Sequence, residues 1–206
     1  SFPTRRSSDL FGGMPGLFAT GQPDQDKATE ILTSIYESIV MKDVAGRYGI
    51  RDIATLEKLS RYLFSTSGNL FSVNKVANTL TSAGANASYA TVDNQISALE
   101  RSFIVYSAQQ ERMRGKELLR PQRKFYPVDN GFRNLATGFN GSDRGAQIEG
   151  IVFMELQRRG YDVTIGSLPD GEIDFIAKRG NNKQYIQVTL NMTEEQTRER
   201  ELDPLR

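Results

Sequence analysis

The run from Glu172 to Thr189, EIDFIAKRGNNKQYIQVT, leaves this part of the chain little choice but an antiparallel hairpin. Ile173, Phe175 and Ala177 alternate with Asp174 and Ile176, and Tyr185, Ile186, Gln187 and Val188 form a second β-rich run beyond the polar turn GNNK. Period-two alternation interrupted by Gly and Asn is the pattern of two strands joined by a short connection. The pairing puts Asp174 and Gln187 on neighbouring strands, with Thr189 two residues further on.

Residue types that are absent narrow the chemistry. The chain has no cysteine and no histidine. Disulfides, thiolate zinc sites, cysteine nucleophiles, Ser-His-Asp triads and His-ligated metals are therefore excluded, which leaves carboxylates as the acid/base and metal-binding candidates. A cysteine-free chain fits a reducing cytoplasm. The 206 residues, 38% apolar and 25% charged, match a globular protein of one large or two small domains, and no apolar run is long enough to cross a bilayer.

The first ten residues, SFPTRRSSDL, resemble the in-frame translation of a short-read sequencing adapter, so residues 1–10 are set aside and the remainder is expected to be a fragment. FGGMPGLF then reads as a glycine and proline turn; no GxxxxGK[ST] occurs, so ATP cannot bind by a phosphate loop. Pro23 and Asp24 open a helix expected to run to about Tyr48, carrying Ile31, Ile35 and Ile39 at four-residue spacing, and Gly49 ends it. A second helix spans Ile53 to about Phe64. Both belong to a helical segment over residues 11–70 and read as core-forming.

Residues 71–137 have the pattern of a winged helix-turn-helix. Ser72 caps a helix from Val73 to Leu80, and Ser88 caps a second from Tyr89 to Ser102 with Val92, Ile96 and Leu99 on its buried face. FIVYSA and RKFYPVD read as two strands around a basic tip. From Arg101 to Lys124 the chain has seven basic residues against two acidic ones, a local excess that a net charge of +1 conceals. Thr91, Asn94 and Gln95, with Arg101, are expected on the solvent face of the second helix, and Arg112, Arg114, Lys116, Arg120 and Lys124 along the wing. Amides and hydroxyls can reach base edges while Lys and Arg displace counterions from phosphates, so DNA is the expected partner. The competing reading is a packing module with a solvated hairpin tip, and Asp93 on the expected reading helix favours it.

Past a connector, GFNGSDRG, residues 138–206 are expected to form the last domain: a helix from Ala146 to Arg159 with Ile148, Ile151, Val152 and Leu156 turned inward, a strand from Tyr161 to Ile165, the hairpin, and a final helix with a capping box at Thr193 and Gln196. The fold class is thus α/β in the broad α+β sense.

The order of acid, strand, turn, strand and spaced polar pair resembles the PD-(D/E)xK nuclease core. Together with GGMPGL, IYESIVMKDVAGRYGIRD, GNLFSVNKVANTL, FYPVDNGFRN and IEGIVFMELQRRGYDV, it makes the chain after residue 10 similar to the C-terminal half of prokaryotic predicted AAA-type ATPases, a domain of unknown function made of a winged helix and a restriction-endonuclease-like domain. The resemblance implies an ATPase module upstream, holding the ATP and docking on this half, and a further sheet strand beyond Arg206. It also assigns roles. Glu149 matches the acid on the core's first helix, Asp174 the metal-binding acid, and Gln187 and Thr189 the positions of the second acid and the lysine. Glu149 and Asp174 are then the candidate ligands of Mg²⁺, but with Gln and Thr in the last two places one ligand charge and the ammonium are missing.

The expected function is that of a nucleic-acid-interacting module with a degenerate, non-cleaving core. The alternatives are a Mg²⁺- or Mn²⁺-dependent nuclease, and a protein-interaction module that uses the apolar faces of the two N-terminal helices.

Overall fold

The computed structural model describes residues 10–19, 21–111, 122–139, 144–168 and 171–189. They form six α-helices and a six-stranded mixed sheet, an α+β architecture. The chain divides into two compact units: residues 1–67, 72–106 and 125–142 in the first, and 68–71, 107–124 and 143–206 in the second.

The first unit is mainly helical. A 3₁₀ turn, Pro15–Phe18, precedes α1, Gln25–Ser38, which passes directly into a π-helix, Ile39–Gly46. The sequence pattern suggested one continuous α-helix to Tyr48. The register instead widens after Ser38 while Val40 and Val44 stay fully buried, and Gly49 at φ +66° ends the segment. Next come α2, Ile53–Ser65, α3, Val73–Ser82, α4, Tyr89–Arg101, and α5, Asn130–Thr137. Each of these five α-helices starts where a short polar side chain accepts a backbone N–H of the first turn: Asp24, Asp52, Ser72, Ser88 and Asp129. Such a cap satisfies one of the donors that a helix start leaves without a partner, for about 1 kcal/mol each.

Apolar side chains at three- and four-residue spacing then meet. Leu32 and Tyr36 of α1, Leu56, Leu59, Leu63 and Phe64 of α2, and Phe132 of α5 are all buried. Phe64 stacks on Phe132 at 5.9 Å, and Tyr36 stands edge-on to Phe64 at 6.1 Å with its hydroxyl 2.5 Å from Ser60 Oγ. Burial raises the Tyr36 pKa, and the hydrogen bond with Ser60 only partly offsets it. Ile31, Ile35 and Ile39, on the same two N-terminal helical segments, are only half-buried.

The second unit holds the sheet. Its order is β1-β3-β2-β4-β5-β6, where β1 is Leu70–Phe71, β2 Val105–Gln110, β3 Arg123–Pro127, β4 Asp162–Leu168, β5 Gly171–Arg179 and β6 Asn182–Ile186. The ends of β2 and β3 that lie in this unit do not project as a free wing. Gln109 and Gln110 pair in parallel with Thr164 and Ile165, while Leu70 and Phe71 pair antiparallel with Lys124 and Arg123. Beyond β2, Glu111 N donates to Ile165 O at 2.8 Å, and the Glu111 carboxylate takes both Lys178 and Lys183. This pairing holds the Glu111 pKa low in spite of burial.

The long helix α6, Arg144–Arg158, packs on β4 and β5. Phe153 meets Phe175 at 5.8 Å and Leu156 lies beside it in the buried set. Ile148 and Ile151, expected to face inward, are 36% and 50% exposed. The helix instead turns Gln147, Gly150, Phe153 and Leu156 to the sheet. Apolar residues occupy both sides of α6, and the largest ring decides which side is buried. Residues 190–206, including the expected helix capped by Thr193, lie outside the described residues.

Candidate functional site

Four charged side chains of the second unit meet at one point. Glu149 lies on the middle of α6, Glu172 and Asp174 lie two apart on β5 and therefore on the same face of the strand, and Lys124 belongs to β3. Lys124 Nζ is 3.2 Å from Glu149 Oε1 and 3.8 Å from Asp174 Oδ1, and it pairs with Glu172. The lysine is 4% exposed. Burial alone would push its pKa down, but Glu149, Glu172 and Asp174 outweigh that and hold the ammonium above the usual lysine value.

The surroundings are arranged to suit this meeting. Gly68 has φ +81°, and a Cβ at that position would lie 3.0 Å from Glu149 Oε2, so glycine both adopts the turn and leaves room for the carboxylate. The hairpin register pairs Phe175 with Ile186, which brings Gln187 opposite Asp174. Gln187 Oε1 accepts from Asp174 N at 3.3 Å, and Val188 N donates to Asp174 Oδ2 at 2.8 Å. Thr189 lies two residues beyond, half-buried and outside any strand.

The structure thus brings together Glu149, Asp174 and Gln187, as the sequence suggested, and adds Glu172 and Lys124. The assignment of Lys124 to a DNA-contacting wing is corrected: its side chain is buried among carboxylates and presents no charge to a phosphate. A signal was present in the sequence. Lys124 is followed by Phe125 and Tyr126, both fully buried, and a lysine inside such a strand must find a partner for its charge.

Gln95 is also corrected. It is 3% exposed on α4, and among the described residues its Oε1 has no hydrogen-bond partner. Its position beside Ile96 on the inner face of the helix explains the burial, since one turn of polar residues was read as an outer face. Asn94 and Arg101 are exposed, and Thr91 is half-buried with its Oγ1 2.9 Å from Ser88 Oγ. Arg112, Arg114, Lys116 and Arg120 lie outside the described residues.

A divalent ion fits this arrangement poorly. Mg²⁺ requires near-octahedral oxygen coordination, yet the point where the carboxylates converge is filled by an ammonium and the Gln187 carbonyl is turned onto a backbone amide. Among the described residues, no group of three or more His, Cys, Asp or Glu has the placement to hold a metal. Nor is any described helix long and apolar enough to cross a membrane.

The motifs GGMPGL and DNGFRN have a structural explanation in the first unit. Asp129 Oδ2 accepts from Gly13 N at 2.7 Å and Oδ1 from Gly131 N at 2.7 Å, while Asn134 Nδ2 donates to Leu10 O at 2.7 Å. Gly131 allows this contact, because a Cβ there would lie 2.4 Å from Phe11 O. Leu10, counted with the adapter-like leader, therefore takes part in the fold.

Comparison with known proteins finds a family model described as Domain of unknown function (DUF8612), which matches residues 7–143. An uncharacterized protein of Haemophilus influenzae is 38% identical over 186 residues, 90% of this chain and 46% of that protein. An uncharacterized protein of Methanocaldococcus jannaschii is 28% identical over 196 residues, 93% of this chain and 43% of that protein. The chain spans about half the length of the curated relatives it matches. No solved structure matches. These findings overturn the resemblance to AAA-type ATPases, because the matching family is a different one.

Proposed function

We propose that this chain, which belongs to the family described as Domain of unknown function (DUF8612), is a nucleic-acid-interacting protein whose nuclease-like core binds without cutting. The observation that carries the reading is the seating of the Lys124 ammonium among Glu149, Glu172 and Asp174. Acids from a helix and from the following hairpin converge as in a phosphodiester-cleaving centre, but the cation at their focus is a side chain. Hydrolysis of that kind uses a hard ion to polarise the phosphate and to activate water, and an ammonium does neither in the same way. The basic segment that includes Arg112, Arg114, Lys116 and Arg120 supplies the attraction to a phosphate backbone, and the exposed Asn94 and Arg101 of α4 add polar reach. A cysteine-free chain is consistent with a cytoplasmic setting.

Binding of a random-sequence duplex at rising salt tests the first half of this reading. Affinity should fall steeply, and replacing Arg112, Arg114 and Lys116 by Ala should reduce the slope of log K against log salt by about 1 per lost phosphate contact. Absence of binding at low salt would end it. Incubation with supercoiled DNA and Mn²⁺ tests the second half. No nicking is expected, and nicking that Asp174→Asn abolishes would show a working nuclease instead.

A further inference from the structure

The end of α4 departs from the ends of its neighbours. After α3 and after α6 the chain takes its positive φ at a glycine, Gly84 at +85° and Gly160 at +74°, whereas after α4 it does so at Phe103, φ +57°. Among the described residues Phe103 is the one side chain in that conformation. Phe103 N donates to Glu100 O at 3.0 Å and Ile104 N to Leu99 O at 3.4 Å, the pair of bonds that closes a helix when glycine holds the turn. A Cβ there crowds the following carbonyl, which costs about 5- to 30-fold in the folding equilibrium. Burial recovers little of that cost, because Phe103 is 67% exposed. A strained aromatic kept at the surface points to a partner outside the unit.

The surroundings of the ring say what that partner is. The Tyr106 ring lies 6.4 Å from it, tilted by 41°, so two π systems stand together at the end of α4. Arg101 is exposed two residues earlier, and Ser102 Oγ donates to Asp43 O at 3.0 Å, which brings the exposed Lys42 and Arg47 alongside. The acids of these two stretches are Asp43, paired with Arg47 at 3.7 Å, and the half-buried Glu100. Aromatic rings set among Lys and Arg suit a single nucleic-acid strand, which offers a π face and a phosphate at each nucleotide. A second copy of the same patch would set like charges against each other. We propose that Phe103 is a stacking platform for an unpaired nucleobase, with Arg101 and Lys42 drawing the neighbouring phosphates. The inference rests on the nucleic-acid reading and adds to it a grip on unpaired strand, since a base within a duplex already has its faces covered.

The chain has no tryptophan, so Phe103→Trp places a single fluorescent reporter at the turn. Oligothymidine should quench its emission saturably, and an abasic strand of the same length should not; equal quenching by both would overturn the inference. Phe103→Gly and Phe103→Leu should weaken oligothymidine binding about 10-fold, the loss of one base stack, while affinity for a random duplex stays unchanged. Phe103→Gly should melt at or above the wild-type temperature, because glycine accepts the positive φ. A lower melting temperature would make the ring a structural one and overturn the inference, as would an equal loss of affinity for the duplex. If the duplex binds and oligothymidine affinity is indifferent to both substitutions, the stacking role falls and the nucleic-acid reading stands. If neither polymer binds, both fall.

Discussion

Asp129 of the first unit and Lys124 of the second are both withdrawn from water, and their charges are met by different means. In the first unit the half-buried Asp129 is held by two backbone amides, those of Gly13 and Gly131. In the second, Lys124 is held by three side-chain carboxylates. Both pKa values are raised, with opposite meaning. For Asp129, burial dominates and the two amides offset only part of it, so the charged form is disfavoured. For Lys124, burial is outweighed by Glu149, Glu172 and Asp174, so the charged form is favoured. Partial charges on amides can orient a carboxylate without fully replacing its hydration, whereas formal charges in a dry place replace it and more.

The largest test of this contrast is Lys124→Ala in metal-free buffer. Leaving three acids around an absent cation should cost about 3–5 kcal/mol of unfolding free energy, measured by denaturant titration. A loss below about 1 kcal/mol would mean that the pocket is solvated and that the contrast with Asp129 is unfounded.

A smaller effect is expected from Gly131→Ala, whose Cβ would come within 2.4 Å of Phe11 O and 2.8 Å of Asp129 Oδ1. Backbone and carboxylate must both move, at about 1–3 kcal/mol. Unchanged thermal stability would show that the segment around Gly12 and Gly13 is not anchored as described.

Asp129→Ala should cost the least, about 1–2 kcal/mol, since it removes a helix cap and a tie to Gly13. Its pH dependence sharpens the comparison. The folded pKa of Asp129 lies above the ordinary 3.8, so the stability it contributes is fully present below that value and shrinks as pH rises through the folded pKa. The gap between wild type and Asp129→Ala should therefore be wider in acid than at neutral pH. For Lys124 the folded pKa lies above 10.5, so its contribution stays level from neutral pH up to about that point and is lost as pH rises from there through the raised value. Denaturant titrations across pH would break the comparison if the Asp129 gap grew from acid to neutral.

Much of the local structure was legible. Asp24, Ser72 and Ser88 announce helix starts through side-chain chemistry that acts within three residues, and the structure places a cap at each. The hairpin was legible for a similar reason, because strand alternation and a Gly-Asn turn both act locally, and its register brings Gln187 to Asp174. Faces were harder to read. Ile148 and Ile151 point outward, Gln95 points inward, and the π-helix after Ser38 replaces an expected α-helical turn. Each outcome depends on which neighbour is larger, and a single helix does not encode its neighbour.

The candidate site divides in the same way. Composition alone removed thiol and imidazole chemistry, while Glu149, Asp174 and Gln187 were named through the resemblance to a nuclease core. Lys124 could not be assigned from its position, because its role depends on a carboxylate 25 residues away and on two others across the sheet. Short-range hydrogen bonding and side-chain periodicity are written in the chain, so helix starts and the hairpin follow from it directly. Electrostatic partnership acts through space between segments distant in sequence. Only the folded sheet decided that a lysine read as a phosphate contact would be a buried counter-ion of three carboxylates.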